Sequence, residues 1–167
     1  MTEEDKEQYP ERNGHVAFEV AQHHVEMQLG AIDAIDTKVG LVFGFASAVL
    51  TAPAAFLALR EGSLPTASLV LLSLGFVAYA ICAIKAYEAS RIQNFKHGPK
   101  LDELWEQARG DYAENLLEWW AATGYKKSYD ENRPRWLDKG NRASQAMAIL
   151  GGETVLVTAG LLVALLS

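Results

Sequence analysis

Only one cysteine, Cys82, occurs in the 167 residues, so no internal disulfide framework staples the chain. Basic residues are also in deficit. Fifteen Lys and Arg against 21 Asp and Glu give a formal charge of −6, which argues against the clustered cations that drive non-specific nucleic-acid binding. Nucleic acid is therefore excluded as a partner. A glycine-rich phosphate loop, a nucleophile elbow and a paired His/Glu metal motif are all missing, so no catalytic residue, metal or cofactor is expected and the chain reads as a non-enzyme. His23 and His24 leave a helix about 100° apart with only Glu19 and Glu26 nearby, the pattern of a solvated face. The opening MTEEDKEQYPERN is acidic and polar, without the basic-then-apolar order of a secretory signal. Strand-like alternation, internal repeats and low-complexity tracts are absent as well.

What is present is segmented. A mean hydropathy near zero hides a partition: residues 1–38 hold nine acids and three bases, whereas the 24 residues from Ser63 to Ala86 hold one charge. Val39 to Leu59 is 21 residues without a formal charge, a helix of roughly 30 Å and thus the thickness of a bilayer's hydrocarbon core. Residues 63–84 give a second such run after a short connection at 60–62, and residues 146–167 give a third, interrupted only by Glu153. Soluble core helices keep a polar face, and these runs are apolar all round. The expected fold is an all-α integral membrane protein with three transmembrane helices, 39–59, 63–84 and 146–167, whose long helical extensions form a cytoplasmic bundle.

Eleven of the fifteen Lys and Arg fall in 85–142. The excess of cations on cytoplasmic segments then places 85–142 and the N-terminus inside, and the C-terminus outside. Residues 1–14 read as a disordered acidic lead, and 15–38 as an amphipathic helix running without a break into the first span. The second span is expected to continue inward to His97, where Gly98 and Pro99 stop it. From Pro99, Leu101, Leu104, Trp105, Ala108, Tyr112, Leu116, Trp119 and Trp120 recur at helical spacing. Gly124 and the polar run to Pro134 are expected to turn or kink the chain. Trp119, Trp120, Tyr125 and Tyr129 suit either an aromatic belt at the headgroups or the core of the cytoplasmic bundle.

Several residues stand out as site candidates. Gly40, Gly44, Ala48 and Ala52 lie four apart, a small-residue stripe that serves close helix approach, either to the other spans or to a second copy in a homo-oligomer. Asp33 and Asp36 continue that stripe toward the membrane edge, where an acid gains from a cation; Lys85, Lys139 and Arg142 lie at that depth, and Lys38 is placed to snorkel to the headgroups. Glu153 falls about 9–10 Å inside the third span. An ionisable residue at that depth faces a bundle interior, a partner or water. A carboxyl in hydrocarbon must find a hydrogen bond or stay protonated, and Ser47 and Tyr79 are the hydroxyls at matching depth.

The stretches QLGAIDAIDTKVGLVFGFASAVL at 28–50 and DENRPRWLDKGNRASQAMAILGGE at 130–153, with the closely spaced second span, resemble the small transmembrane effector family of bacterial Pycsar anti-phage systems. The resemblance implies a multi-pass protein of the bacterial inner membrane that impairs the membrane when a cyclic pyrimidine nucleotide made during infection triggers it. No recognisable cyclic-nucleotide-binding domain accompanies the spans, and no ligand-contacting residue carries over. The bilayer is the expected partner. The other reading of the residues is a non-catalytic membrane scaffold that presents its cytoplasmic helices to a partner protein.

Overall fold

The computed structural model describes residues 14–59, 63–91, 94–100, 102, 104, 106, 109 and 114–167. Three helices account for nearly all of them: α1, Gly14–Leu59; α2, Thr66–Ser90; and α3, Glu114–Leu165. Each contains a stretch long and apolar enough to cross a membrane. The chain is therefore all-α, with three candidate membrane-spanning helices.

Burial repeats every seven residues in every helix. On α1 the buried line is Val25, Ile32, Val39, Ala46 and Pro53; on α2 it is Ser68, Gly75, Cys82 and Ala89; on α3 it is Asn132, Lys139, Ala146, Glu153 and Gly160. A second line between these rungs adds Gln28 and Val42, Ala86, and Ser128, Ala143, Val157 and Ala164. A repeat of 3.5 residues per turn is the signature of left-handed supercoiled packing, the common geometry of membrane bundles. The sequence hides this seam within the spans, because apolar residues there surround the helix on all sides.

Packing divides the chain into two units, Met1–Asp33 with Gln93–Trp136 and Ala34–Ile92 with Leu137–Ser167. In the first, the start of α1 and the start of α3 run parallel, with His15 bonded to Glu118 and Gln28 donating to the Tyr129 carbonyl. Segment 94–100 packs on α3 through side-chain bonds that copy a backbone ladder. The Lys96 N–H donates to Asn132 Oδ1 at 2.9 Å while Asn132 Nδ2 donates to the Lys96 carbonyl at 2.7 Å, and Ser128 donates to the Gly98 carbonyl at 2.9 Å. Gly98 has φ of 153°, and a Cβ there would stand 2.6 Å from the Tyr125 ring. Only glycine fits that backbone and that space.

In the second unit, α1 and α3 are again parallel and α2 runs against both. Asp36 meets Lys139, Ser47 meets Tyr79, Cys82 meets the Ala146 carbonyl and Ser68 meets the Gly160 carbonyl. The core is Val39, Val42, Ala46, Cys82, Ala86, Ala89, Ala143 and Ala146. Mostly small, these residues let backbones approach closely where lipid offers no hydrophobic drive for helices to associate. Large side chains point outward instead, among them Leu41, Phe43, Phe45, Leu69, Leu74, Phe76 and Val155.

Three expectations need correction. α2 ends at Ser90, and residues 94–97 are not helical; the buried Asn132 amide pairs with the Lys96 backbone groups and so satisfies them without a helix. Neither Gly124 nor Pro134 breaks α3, which is one helix from Glu114 to Leu165. The polar run there is its solvated face, carrying a Lys126–Asp130 pair one turn apart, while Ser128 and Asn132 of the same run supply the seam. Gly14 begins α1 instead of ending the acidic lead. The rest of that lead, the 60–62 connection, and Leu101, Trp105, Ala108 and Tyr112 of the amphipathic stretch lie outside the described residues.

Candidate functional site

A band of charge and a single buried carboxyl mark the seam of the second unit. At the band, Lys139 Nζ lies 2.6 Å from Asp36 Oδ1, with the Lys139 side chain 3% exposed and that of Asp36 45% exposed. The heptad repeat carries Lys139 inward from α3, and Asp36 meets it from the edge of α1. Two more of the cations named as partners for the aspartates bind elsewhere. Lys85 pairs with Glu88 at 3.1 Å, and Arg142 reaches Glu88 at 3.2 Å and Asp138 at 2.9 Å. Glu88 was not legible as a site residue beyond its place one turn after Lys85 on the same helix face. Asp33 and Lys38 are both exposed, and Lys38 makes no ion pair among the described residues.

Glu153 lies two heptads beyond Lys139, about 21 Å along α3. It is 0% exposed, the largest fully buried side chain described, and neither carboxyl oxygen has a hydrogen-bond partner among the described residues. The expected bond to Ser47 or Tyr79 is not made. Those two hydroxyls lie 3.4 Å from each other, and Ser47 donates to the Phe43 carbonyl one turn back at 2.9 Å. Helical Ser and Thr satisfy themselves on the i−4 carbonyl in this way, which takes the donor away from the acid. Thr154, beside Glu153, likewise bonds the Leu150 carbonyl at 2.8 Å. A buried polar group without a partner costs on the order of 1–3 kcal/mol, and more when charged.

The small-residue stripe does not serve packing within the chain. Gly40, Gly44, Ala48 and Ala52 are all exposed, and a Cβ added at Gly40 or Gly44 would meet nothing within 4 Å. One residue's rotation, about 100°, separates Gly40 from the seam residue Val39. A groove of about 480 Å³ opens beside Gly40, bounded by Asp36, Phe43, Ala83, Ala86 and Tyr87. Ala78, Cys82 and Ala86 on α2 do face inward in part, with Cys82 and Ala86 buried.

The first unit holds aromatic and titratable groups of a different kind. Phe18 meets Tyr125 edge-on at 5.8 Å, and His24 meets Tyr129 at 5.9 Å, so both tyrosines pack in the helical body. An apolar groove of about 430 Å³ lies between Val20 and His24 on α1 and Trp119, Ala122 and Tyr129 on α3. His15 has its pKa raised by its bond to Glu118, with Glu19 adding to the effect. Glu131 pairs with Lys96, and that bond holds its carboxyl below the ordinary value. Among the described residues, no three His, Cys, Asp or Glu side chains converge as a metal site. No family model matches the chain, and no curated protein or solved structure matches it either.

Proposed function

We propose that this chain is a membrane effector that permeabilises the membrane it spans when triggered, as a homo-oligomer of the bacterial inner membrane within nucleotide-signalled anti-phage defence. The observation that carries the reading is Glu153. A fully buried carboxyl with no hydrogen-bond partner among the described residues, within a helix apolar enough to span a bilayer, destabilises the packed state, and intramembrane ionisable residues are rare outside functional pathways. An arrangement that brings water or a partner to Glu153 removes that cost, so the packed bundle is biased toward opening. The outward stripe from Gly40 to Ala52 supports association of copies, and the similarity of 28–50 and 130–153 to Pycsar effectors supports the biological setting. In this reading the N-terminus and residues 85–142 are cytoplasmic and the C-terminus lies outside, as the Lys and Arg distribution favours.

Induced expression in bacteria carrying a membrane-potential dye, with and without a co-expressed nucleotide cyclase, tests it. Depolarisation that Glu153→Leu abolishes is the expected result. Full potential under every condition, or full activity of the Leu variant, removes the proposal. Orientation is checked separately by single cysteines at Ser63 and Lys127, both exposed, in a Cys82→Ser background, which label from opposite faces if the topology holds.

A second reading, a scaffold that holds the first unit for a partner protein, draws on the open groove beside Trp119 and Tyr129. It expects a normal membrane potential and loss of function from a charged substitution at Ala122, which is buried at the floor of that groove.

A further inference from the structure

The buried lines of α2 and α3 differ from that of α1 in a way that packing alone does not require. Along α1 the rungs are Val39, Ala46 and Pro53 in the second unit. Along α2 they are Ser68, Gly75 and Cys82, and along α3 Ala146, Glu153 and Gly160, every one small or polar. The rungs of α3 are about 10.5 Å apart. In the packed state they are closed off: Ser68 donates to the Gly160 carbonyl at 2.8 Å, Cys82 to the Ala146 carbonyl at 3.4 Å, and a Cβ on Gly75 would stand 2.7 Å from Val157. Small residues explain such close contact. They do not explain Glu153, which sits midway along the same line with neither oxygen bonded.

We infer that in the conducting state the α3 line Ala146–Glu153–Gly160 faces water, and that the Glu153 carboxylates of several copies form a ring that selects monovalent cations over anions. The inference rests on the permeabilising reading and names the ions it passes. Small rungs above and below leave the acid as the group that meets a passing ion, and rings of carboxylates favour cations. Lys139 does not oppose this, because Asp36 pairs with it at 2.6 Å and it lies about 21 Å from Glu153. Closing the line by Ser68–Gly160 and Cys82–Ala146 contact keeps the resting membrane sealed.

The test uses the purified full chain in planar bilayers under a KCl gradient. The wild type is expected to prefer K+ over Cl− on the order of tenfold, and Glu153→Gln to conduct with a preference near unity. Lys38→Gln, which changes an exposed cation off the seam, leaves the preference as it was. In a Cys82→Ser background, Ala146→Cys is expected to lose current to a water-borne cationic thiol reagent, which decides the lining even if Glu153→Gln does not fold. Current without cation preference, a preference that survives Glu153→Gln, or an unreactive Ala146→Cys overturns the inference and leaves the permeabilising reading standing. Absence of current at every protein density removes both.

Discussion

The two packed units share a heptad repeat of burial and differ in the ionisable groups they place on it. In the first, buried amides and a hydroxyl reach backbone, Asn132 both groups of residue 96, Ser128 Gly98 and Gln28 Tyr129, and only the Gln28 Oε1 is left without a partner among the described residues. In the second, Ser68 is likewise tied to the Gly160 carbonyl, but the two buried ionisable groups divide: Lys139 pairs with Asp36, and Glu153 has no hydrogen-bond partner among the described residues. The outer faces differ as well, charged around 126–135 in the first and lined with Leu, Phe and Val in the second. A repeat of fixed period thus serves beneath a charged outer face and beneath an apolar one. Polar side chains in the first unit specify where segment 94–100 lies; the unsatisfied acid in the second is a cost that a purely structural bundle has no use for.

The largest expected effect comes from breaking the Lys139–Asp36 pair. Asp36→Asn strands the Lys139 ammonium at 3% exposure, and the loss is expected to be about 3 kcal/mol, the low end for a broken buried pair because Asp36 itself is half exposed. Thermal melting in detergent reads it. Restoration by the double variant Asp36→Asn with Lys139→Met, in which no charge is left buried, identifies the pair as the cause. A melting temperature unchanged by Asp36→Asn would show that the ammonium finds water.

Exchanging polar for apolar at two rungs of α3 sharpens the contrast, because the signs should differ. Asn132→Leu removes both partners of the Lys96 backbone and is expected to cost about 2 kcal/mol. Glu153→Leu removes a buried group that bonds to nothing, so it should hold or raise stability by about 1 kcal/mol. If both variants lose stability to the same degree, Glu153 has a structural partner and the difference between the units disappears.

The three candidate spans and the all-helical class were legible because they depend on the length and composition of each segment. Which face packs was not legible, since Gly40 and Val39 are both acceptable to lipid and only the register against α2 and α3 decides between them. The same register hid the fate of Pro134: a proline beside polar residues reads as a break, yet the heptad from Ser128 through Asn132 to Lys139 runs past it without interruption. Asp36 and Lys139 were found as candidates because opposite charges at one depth seek each other. Glu88 was not legible because it lies one turn from Lys85 on its own helix, where a local pair is an ordinary surface feature.

Gly44→Leu separates packing inside a copy from packing between copies. Nothing lies within 4 Å of the added side chain's first carbon, so the isolated chain should change by less than about 0.5 kcal/mol, as exposed substitutions do. Oligomer size in detergent, measured by light scattering, is where the effect should appear. An unchanged oligomer together with unchanged stability means that the stripe meets only lipid.

The smallest expected effect is a pH dependence confined to the first unit. His15 bonds Glu118 at 2.9 Å and also lies near Glu19, and these carboxylates raise its pKa above the ordinary 6.5. A raised pKa means that the protonated ring holds α1 to α3 in the first unit: the contribution is fully present below about pH 6.5 and fades as pH climbs through the folded value. Glu131 has the opposite sign, its lowered pKa giving stability above the usual 4.5 that is lost only as pH falls through the folded value. Between pH 5.5 and 8.5, therefore, the Glu131 contribution is constant while that of His15 fades, leaving this contact slightly firmer at the acid end. Ring-proton shifts of His15 should titrate above 6.5 in the wild type and return toward 6.5 in Glu118→Gln. A titration unmoved by that substitution would place the cause on Glu19, within α1, and leave the two helices uncoupled at this contact.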